Sequence, residues 1–412
     1  MDTTNKKYVP IKATETYQQL MTEYYMDAKM AEGTDRKIAW VTSGAPVELL
    51  NAAGVIPIYP ENHAALCSAR HEANELAQAA EERGFSRDLC GYARTDFGSL
   101  YTGNSPIGGM PKPDFLVCCN NICGTVTKWY QQLQRELNVP LLYLDAPFVH
   151  DEKPTDAAIA YVRAQLEDIV AAVGDIVGTP VEMNRLFEML ISGTEASRLW
   201  GKILDLLTAK PAPINSFDTF IHMAPVVVMR GLDKCIDYYK LLLEEVKQRV
   251  ADGIAAVPGE RFRLGWDNIA IWYNLRDMAI KFAKRQACLV AATYTYSWSI
   301  RGISGDFDDP MDSMAASYMT SYINSGFHVR KKVLASMVEK YDLDGVVMHS
   351  NRSCRPYSIG MYDLAKFLEQ ECNAAVLMIE ADHCDPRSFA EEQTFTRIDA
   401  FIETLESREA VV

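Results

Sequence analysis

Cysteine is the residue type that carries the most chemistry in this chain, which holds ten of them in 412 residues. Cys118, Cys119 and Cys123 fall within six residues of the stretch DFLVCCNNICGTVTKWY (114–130), where an apolar run gives way to a helical one. The stretch from Asp344 to Cys354, DGVVMHSNRSC, echoes its order: an aspartate, an apolar run, a polar turn with asparagine, then a cysteine. Cys90, in DLCGYARTDF, likewise precedes a helical pattern. A thiol at a helix start faces free N–H groups and the positive end of the helix dipole, and both favour the thiolate.

Three such thiolates, Cys90, Cys123 and Cys354, could meet between two halves of the molecule. They would hold a cubane iron–sulfur cluster with one iron lacking a protein ligand, open to substrate or water. Structural zinc asks for four ligands, usually in paired C-x-x-C spacings. None is present, since Cys119 to Cys123 is C-x-x-x-C. The spacing alone leaves open that all ten cysteines are buried free thiols. Cys118 and Cys119 are strand neighbours facing opposite sides, so at most one joins Cys123 easily. Cys67, Cys235, Cys288 and Cys372 lie in apolar patterns and read as core, while Cys384, in ADHCDPRSF, is ambiguous.

These residues need elements to place them. KIAWVTS (37–43) reads as a strand, GAPVELLNAAG as a helix with Pro46 in its first turn and Gly54 at its end, and VIPIYP (55–60) as the next strand. Helices are expected over 62–83 and 89–100, then a strand in DFLVCC, a helix in NICGTVTKWYQQLQREL and a strand in VPLLYLDAPF. Helical patterns dominate from 154 to about 252. Alternation resumes with RFRLGWDNIAIW, the helix LRDMAIKFAKR, ACLVAATYTY, DGVVMHS (344–350), the helix YSIGMYDLAKFLEQE and AAVLMIEAD (374–382). The fold class is α/β: two Rossmann/flavodoxin-like parallel-sheet domains, 1–150 and 259–412, with a helical middle region, 151–258.

Open parallel sheets bind ligands beyond the carboxyl ends of their strands. Cys123 and Cys354 belong there. So do Ser43, after KIAWVTS, and Glu61, after VIPIYP, as a hydrogen-bond donor and a general base. Each has a plainer reading, Ser43 as a helix N-cap and Glu61 as a first-turn carboxylate.

Other chemistry is absent from the pattern. A net charge of −14 argues against nucleic acid or an anionic membrane as partner. No apolar run approaches about 18 residues and MDTTNKKYVP has no signal-like core, so a cytoplasmic protein is expected, without structural disulfides. The seven histidines make no metal motif, and His349 and His383 read as structural. Trp129, Tyr130, Trp266, Trp272 and Tyr273 read as core or interface. With neither G-x-x-x-x-G-K-[ST] nor G-x-G-x-x-G, any ATP chemistry must sit on another chain.

Taken together, WVTSGAPVELL, IYPENHAA, DLCGYARTDFG, PDFLVCCNNICGTVTKWY, SNRSCRPYS and DPRSF resemble the 2-hydroxyacyl-CoA dehydratase family, and its larger, alpha-type subunit in particular. The likeness runs from about residue 15 to 405. It implies a 4Fe–4S cluster on Cys90, Cys123 and Cys354, and a substrate site lined by Ser43 and Glu61. It also implies an acyl-CoA substrate, a homologous smaller beta subunit with its own cluster, and a separate ATP-hydrolysing iron–sulfur activator that injects one electron. The implied reaction is oxygen-sensitive loss of water from an (R)-2-hydroxyacyl-CoA to a 2-enoyl-CoA through a ketyl radical. Two stretches depart from the family pattern. RLGWDNIAIWYNLRDM lacks an EGI-x-x-WP run, and ADHCDPR replaces GDQ-x-DPR. Both are similar to subunits of benzoyl-CoA-type reductases, so an ATP-dependent reductase, with Cys118, Cys119 and Cys384 as possible extra ligands of a double-cubane cluster, stands as the alternative.

Overall fold

Eight short strands among the described residues are all parallel and form two four-stranded sheets. The structure is a computed structural model that describes residues 8–300, 302 and 309–410. The expected outer limits 1 and 412, and most of MDTTNKKYVP, lie outside the described residues. The first sheet holds β1 (Ile38–Val41), β2 (Ile56–Ile58), β3 (Phe115–Cys119) and β4 (Leu141–Leu144), in the order β2-β1-β3-β4. The second holds β5 (Phe262–Asp267), β6 (Ala287–Ala292), β7 (Gly345–Asn351) and β8 (Ala375–Ala381), in the order β6-β5-β7-β8. Every residue of β1, β2, β3, β5 and β6 is buried. That is why β1, β2, β3 and β6 read as unbroken apolar runs: helices cover both faces of a parallel sheet.

The two sheets repeat one plan. Asp114, just before β3, accepts a hydrogen bond from the Ile38 N–H at the start of β1 (2.8 Å). Asp344, just before β7, accepts one from the Arg263 N–H in β5 (2.7 Å). The echo between the two cysteine stretches is thus an echo in space. Cys123 follows β3 and Cys354 follows β7, each next to the point where the strand order reverses, the place where such sheets bind ligands.

Helices Asp156–Val177, Met183–Asp205, Ser216–His222, Ala224–Val228 and Asp233–Ala251 lie between the sheets in sequence. They are tied to both. Arg230 forms a buried ion pair with Glu48 beside the first sheet (2.7 Å), and the Trp200 indole N–H donates to the Thr295 carbonyl beyond β6 (2.9 Å). No helix among the described residues is long and apolar enough to cross a membrane.

Several elements end earlier than expected. The stretch 62–83 is two helices, Pro60–Ala69 and Ala73–Glu82, because His71 turns to φ +63° between them. His63 and His71 therefore do not share a helix. The strand expected through RFRLGWDNIAIW stops at Asp267, where Asn268 takes φ +93°. TYTY is a helical turn rather than strand, and Gly360 at φ +82° splits YSIGMYDLAKFLEQE into Arg355–Ser358 and Met361–Glu371. Pro46 is the N-cap of Val47–Ala52, one place outside the first turn. Cys67, Cys235 and Cys288 are core as read, but Cys372 is only half-buried.

Candidate active site

One cavity of about 790 Å³, its open mouth included, lies where the carboxyl ends of the two sheets face each other. Ser43, Glu61, Cys90, Cys123 and Cys354 all line it. Ser43, Glu61, Cys123 and Cys354, singled out from strand-end position, and Cys90, singled out from its place before a helix, are thus brought together from five separate stretches of the chain.

The loops are held by close backbone approaches. Asn121, in the turn before Cys123, donates to the Gly44 carbonyl (3.0 Å) and to the Tyr318 carbonyl (2.6 Å). A Cβ on Gly44 would stand 2.0 Å from the Asn121 Oδ1, so this turn requires glycine. Gly91, after Cys90, packs against the loop beyond β8. A Cβ there would stand 2.5 Å from Asp382 Oδ1 and 2.9 Å from the Cys384 Cβ. The Gly91 N–H also donates to Ser353 Oγ (3.0 Å), which joins the Cys90 loop to the Cys354 loop.

Each of the three cysteines stands at the N-cap of a helix: Cys90 before Gly91–Thr102, Cys123 before Gly124–Leu137 and Cys354 before Arg355–Ser358. All three are half-buried. Burial raises every one of these thiol pKa values, that of Cys354 to about 12. Cys123 and Cys354 raise Cys90 further, and Cys123 raises Cys354. The N–H groups of Ala93, Val126 and Tyr357, each three residues on, act the other way and favour the thiolate.

Those facts bear on what the thiols could hold. Among the described residues, no three His, Cys, Asp or Glu side chains stand close enough for one metal ion to touch them all. A polynuclear cluster spreads its ligands around its faces and asks for wider spacing. Three thiols around one cavity, each with a helix start behind it, fit such a cationic, sulfur-seeking group. Cys118 and Cys119 are enclosed in β3 and Cys384 lies against the Ala64 carbonyl (3.6 Å), and none of these lines the cavity.

Glu61 sits in the first turn of Pro60–Ala69, as the plainer reading had it, yet its carboxylate turns to Ser43. Burial raises its pKa from the usual carboxylate range to about 7, opposed by the Ser43 N–H and hydroxyl. Ser43 is not an N-cap, since Pro46 takes that place. A carboxylate with that pKa beside a largely apolar cavity suits general base work near neutrality.

The sequence reading missed much of the wall. Trp129 is buried as expected, but it also lines the cavity, and its indole N–H donates to the buried Asp96 (2.8 Å). Tyr92, Ile269, Tyr294, Trp298 and His383 are further lining residues. All except Trp298 lie within two residues of a strand end or of one of the three cavity cysteines, and that position was the one signal available for them.

Comparison with known proteins adds to this geometry. A family profile described as 2-hydroxyglutaryl-CoA dehydratase, D-component, matches residues 42–405. The chain is 33% identical to the (R)-2-hydroxyisocaproyl-CoA dehydratase alpha subunit of Clostridioides difficile, over 94% of this chain and 95% of that one. It is 31% identical to the (R)-phenyllactyl-CoA dehydratase alpha subunit of Clostridium sporogenes, over 98% of each. Further off, it is 26% identical to one of the subunits of the benzoyl-CoA reductase of Thauera aromatica, over 92% of this chain and 90% of that one.

Proposed function

The chain belongs to the 2-hydroxyglutaryl-CoA dehydratase D-component family, and we propose that it is the alpha-type subunit of an (R)-2-hydroxyacyl-CoA dehydratase. The observation that carries this reading is the convergence of Ser43, Glu61, Cys90, Cys123 and Cys354 on one cavity. The relatives at 31–33% identity are named as dehydratase alpha subunits, while the reductase relative stands at 26%. Their naming as alpha subunits also supports a partner subunit, which in this reading is the smaller homologous beta subunit.

Cys90, Cys123 and Cys354 would hold the 4Fe–4S cluster, which supplies a Lewis-acidic iron without a protein ligand and one-electron chemistry. With only these three cysteines at the cavity, a single cluster per chain fits better than a double cubane.

The rest of the site answers the chemical difficulty. The β-hydrogen of a 2-hydroxyacyl thioester is not acidic, so direct elimination is slow. One electron from an external ATP-hydrolysing donor, placed on the thioester carbonyl, gives a ketyl radical anion that expels the neighbouring hydroxyl as hydroxide. The enoxy radical left behind has a far more acidic β-hydrogen. Glu61 takes that proton, and with the hydroxide it makes up the water lost. The electron is then released from the enoyl product and reused. Ser43 orients the Glu61 carboxylate from two sides. Trp129, Ile269 and Trp298 give the cavity an apolar wall for the acyl chain and keep water out. The nucleotide handle of the thioester supplies binding energy that positions the reacting carbons.

The test is anaerobic assay of the chain with its smaller partner, an ATP-hydrolysing iron–sulfur donor, reductant and ATP. 2-Hydroxyisocaproyl-CoA and phenyllactyl-CoA are the first substrates to try. Formation of the 2-enoyl thioester over many turnovers per electron supplied is expected. Two electrons consumed for every product would place the chain with the reductases instead.

A further inference from the structure

His383 reads from sequence as a structural histidine. The structure places it, fully buried, at the cavity wall beside Cys90. Its Nε2 lies 3.8 Å from the Cys90 Sγ, within hydrogen-bond reach of sulfur. Its Nδ1 lies 3.1 Å from the Asn351 Oδ1 and 3.7 Å from Asp382 Oδ1. The Tyr92 ring packs edge-on against the imidazole, with centroids 4.2 Å apart. Its backbone carbonyl accepts from the Trp272 N–H at 3.2 Å. The ring is held from several sides and has little freedom to turn.

A neutral imidazole carries one N–H, on either ring nitrogen. Two tautomers share that geometry. With the proton on Nδ1, donated to Asn351 Oδ1, the Nε2 lone pair accepts from a Cys90 thiol. A metal-bound sulfur has no proton to give. Nε2–H must then face the sulfur, and Nδ1 must accept from Asn351. Among the described residues the Asn351 Nδ2 has no hydrogen-bond partner, so turning the amide over breaks no other bond there. Asn351 ends β7, three residues before Cys354, and so one polar relay joins the loops of two of the three thiols.

We infer that His383 donates a hydrogen bond to the Cys90 sulfur in the cluster-loaded protein and thereby raises the reduction potential of that cluster. This rests on the cluster reading above. An N–H aimed at a ligating sulfur draws electron density from it and stabilises the reduced, more negative form, and hydrogen bonds to the sulfurs are among the established controls of cluster potential. His383 is a tuning residue rather than a catalytic one.

The experiment is a redox titration of the anaerobically purified holoenzyme, wild type against His383→Leu and His383→Gln, followed by the cluster's electron paramagnetic resonance signal, with iron counted in each sample. Leu is near the ring in size and has no donor, whereas Gln keeps an N–H. The Leu variant is expected to keep its iron and to show a more negative midpoint potential, with the Gln variant between it and wild type or at wild type. A loaded Leu variant at the wild-type potential overturns the inference. If the Leu variant does not fold or load, His383→Met, also without a donor, gives the same reading. A Cys354→Ala holoenzyme with wild-type iron would be a separate failure, removing the cluster reading itself.

Discussion

Ser43 and Glu61, eighteen residues apart and at the ends of neighbouring strands, share one carboxylate. The Ser43 N–H donates to Oε2 at 2.5 Å and its hydroxyl to Oε1 at 3.2 Å. The pair fixes where the carboxylate points and partly offsets the burial that raises its pKa to about 7. Dehydration should therefore lose rate in acid. Below pH 7, kcat/KM is expected to fall about tenfold per unit, with a plateau above. In Glu61→Gln the rate should drop by about 10²–10⁴ and this limb should vanish, while the iron content stays. A stopped assay across pH, with iron counted in each protein, checks both.

The same shift has a sign for stability. A carboxyl group whose folded pKa lies above its unfolded value contributes stability below about pH 4 that is lost as pH rises through about 7. Glu61→Gln carries no such charge. Its melting temperature is expected to exceed that of wild type at pH 8 and to approach it at pH 5, measured on the metal-free chains.

Removing the hydroxyl alone makes a finer test. Ser43→Ala keeps the backbone bond and loses one donor to the charged carboxylate. The acidic limb should move to higher pH, and the rate at pH 6 should fall by about tenfold. An unmoved limb would show that the hydroxyl does not act on Glu61.

The loop that carries His383 and Cys384 is fastened by charge. Arg94, almost fully buried, pairs with Asp385 (2.9 Å) and Glu81 (2.7 Å), and Arg387 reaches the same two carboxylates. Arg94→Met leaves Asp385 buried with half its partners, and an unfolding loss of about 3–5 kcal/mol is expected. Burial opposes the Asp385 charge, but Arg387 and Arg94 hold its pKa down at about 2. Its contribution is present above the unfolded carboxylate range and lost as pH falls towards 2. The stability gap between wild type and variant, from urea unfolding, should therefore narrow in acid.

Cysteine substitutions should separate ligands from core. Cys118→Ala and Cys384→Ala are expected to keep the iron and to cost about 1 kcal/mol of stability, because both side chains are enclosed away from the cavity. Cys90→Ala and Cys123→Ala should lose the iron. Iron lost with Cys118 or Cys384 would favour the double-cubane alternative.

What the sequence made legible follows from which interactions are local. Apolar runs such as FLVCC and GVVM mark strands buried on both faces, and the chemistry-bearing residues beyond such strands, Ser43, Glu61, Cys123 and Cys354, are placed by that fact alone. The breaks at His71, Asn268 and Gly360 escaped the pattern. A single residue turning to positive φ leaves the hydrophobic periodicity around it intact. His383 and Trp129 escaped for another reason. Each is as buried as a core residue, and its role depends on Cys90 or Asp96 far along the chain, which no local spacing encodes.

The central claim is that Cys90, Cys123 and Cys354 hold one open iron–sulfur cluster at the cavity that Glu61 and Ser43 share. The most direct test counts iron and acid-labile sulfide in anaerobically purified wild type and Cys354→Ala, with folding checked by circular dichroism. About four of each per chain in wild type, lost in the variant, is the expected result. A folded wild-type chain without iron, or iron unchanged in Cys354→Ala, would contradict it.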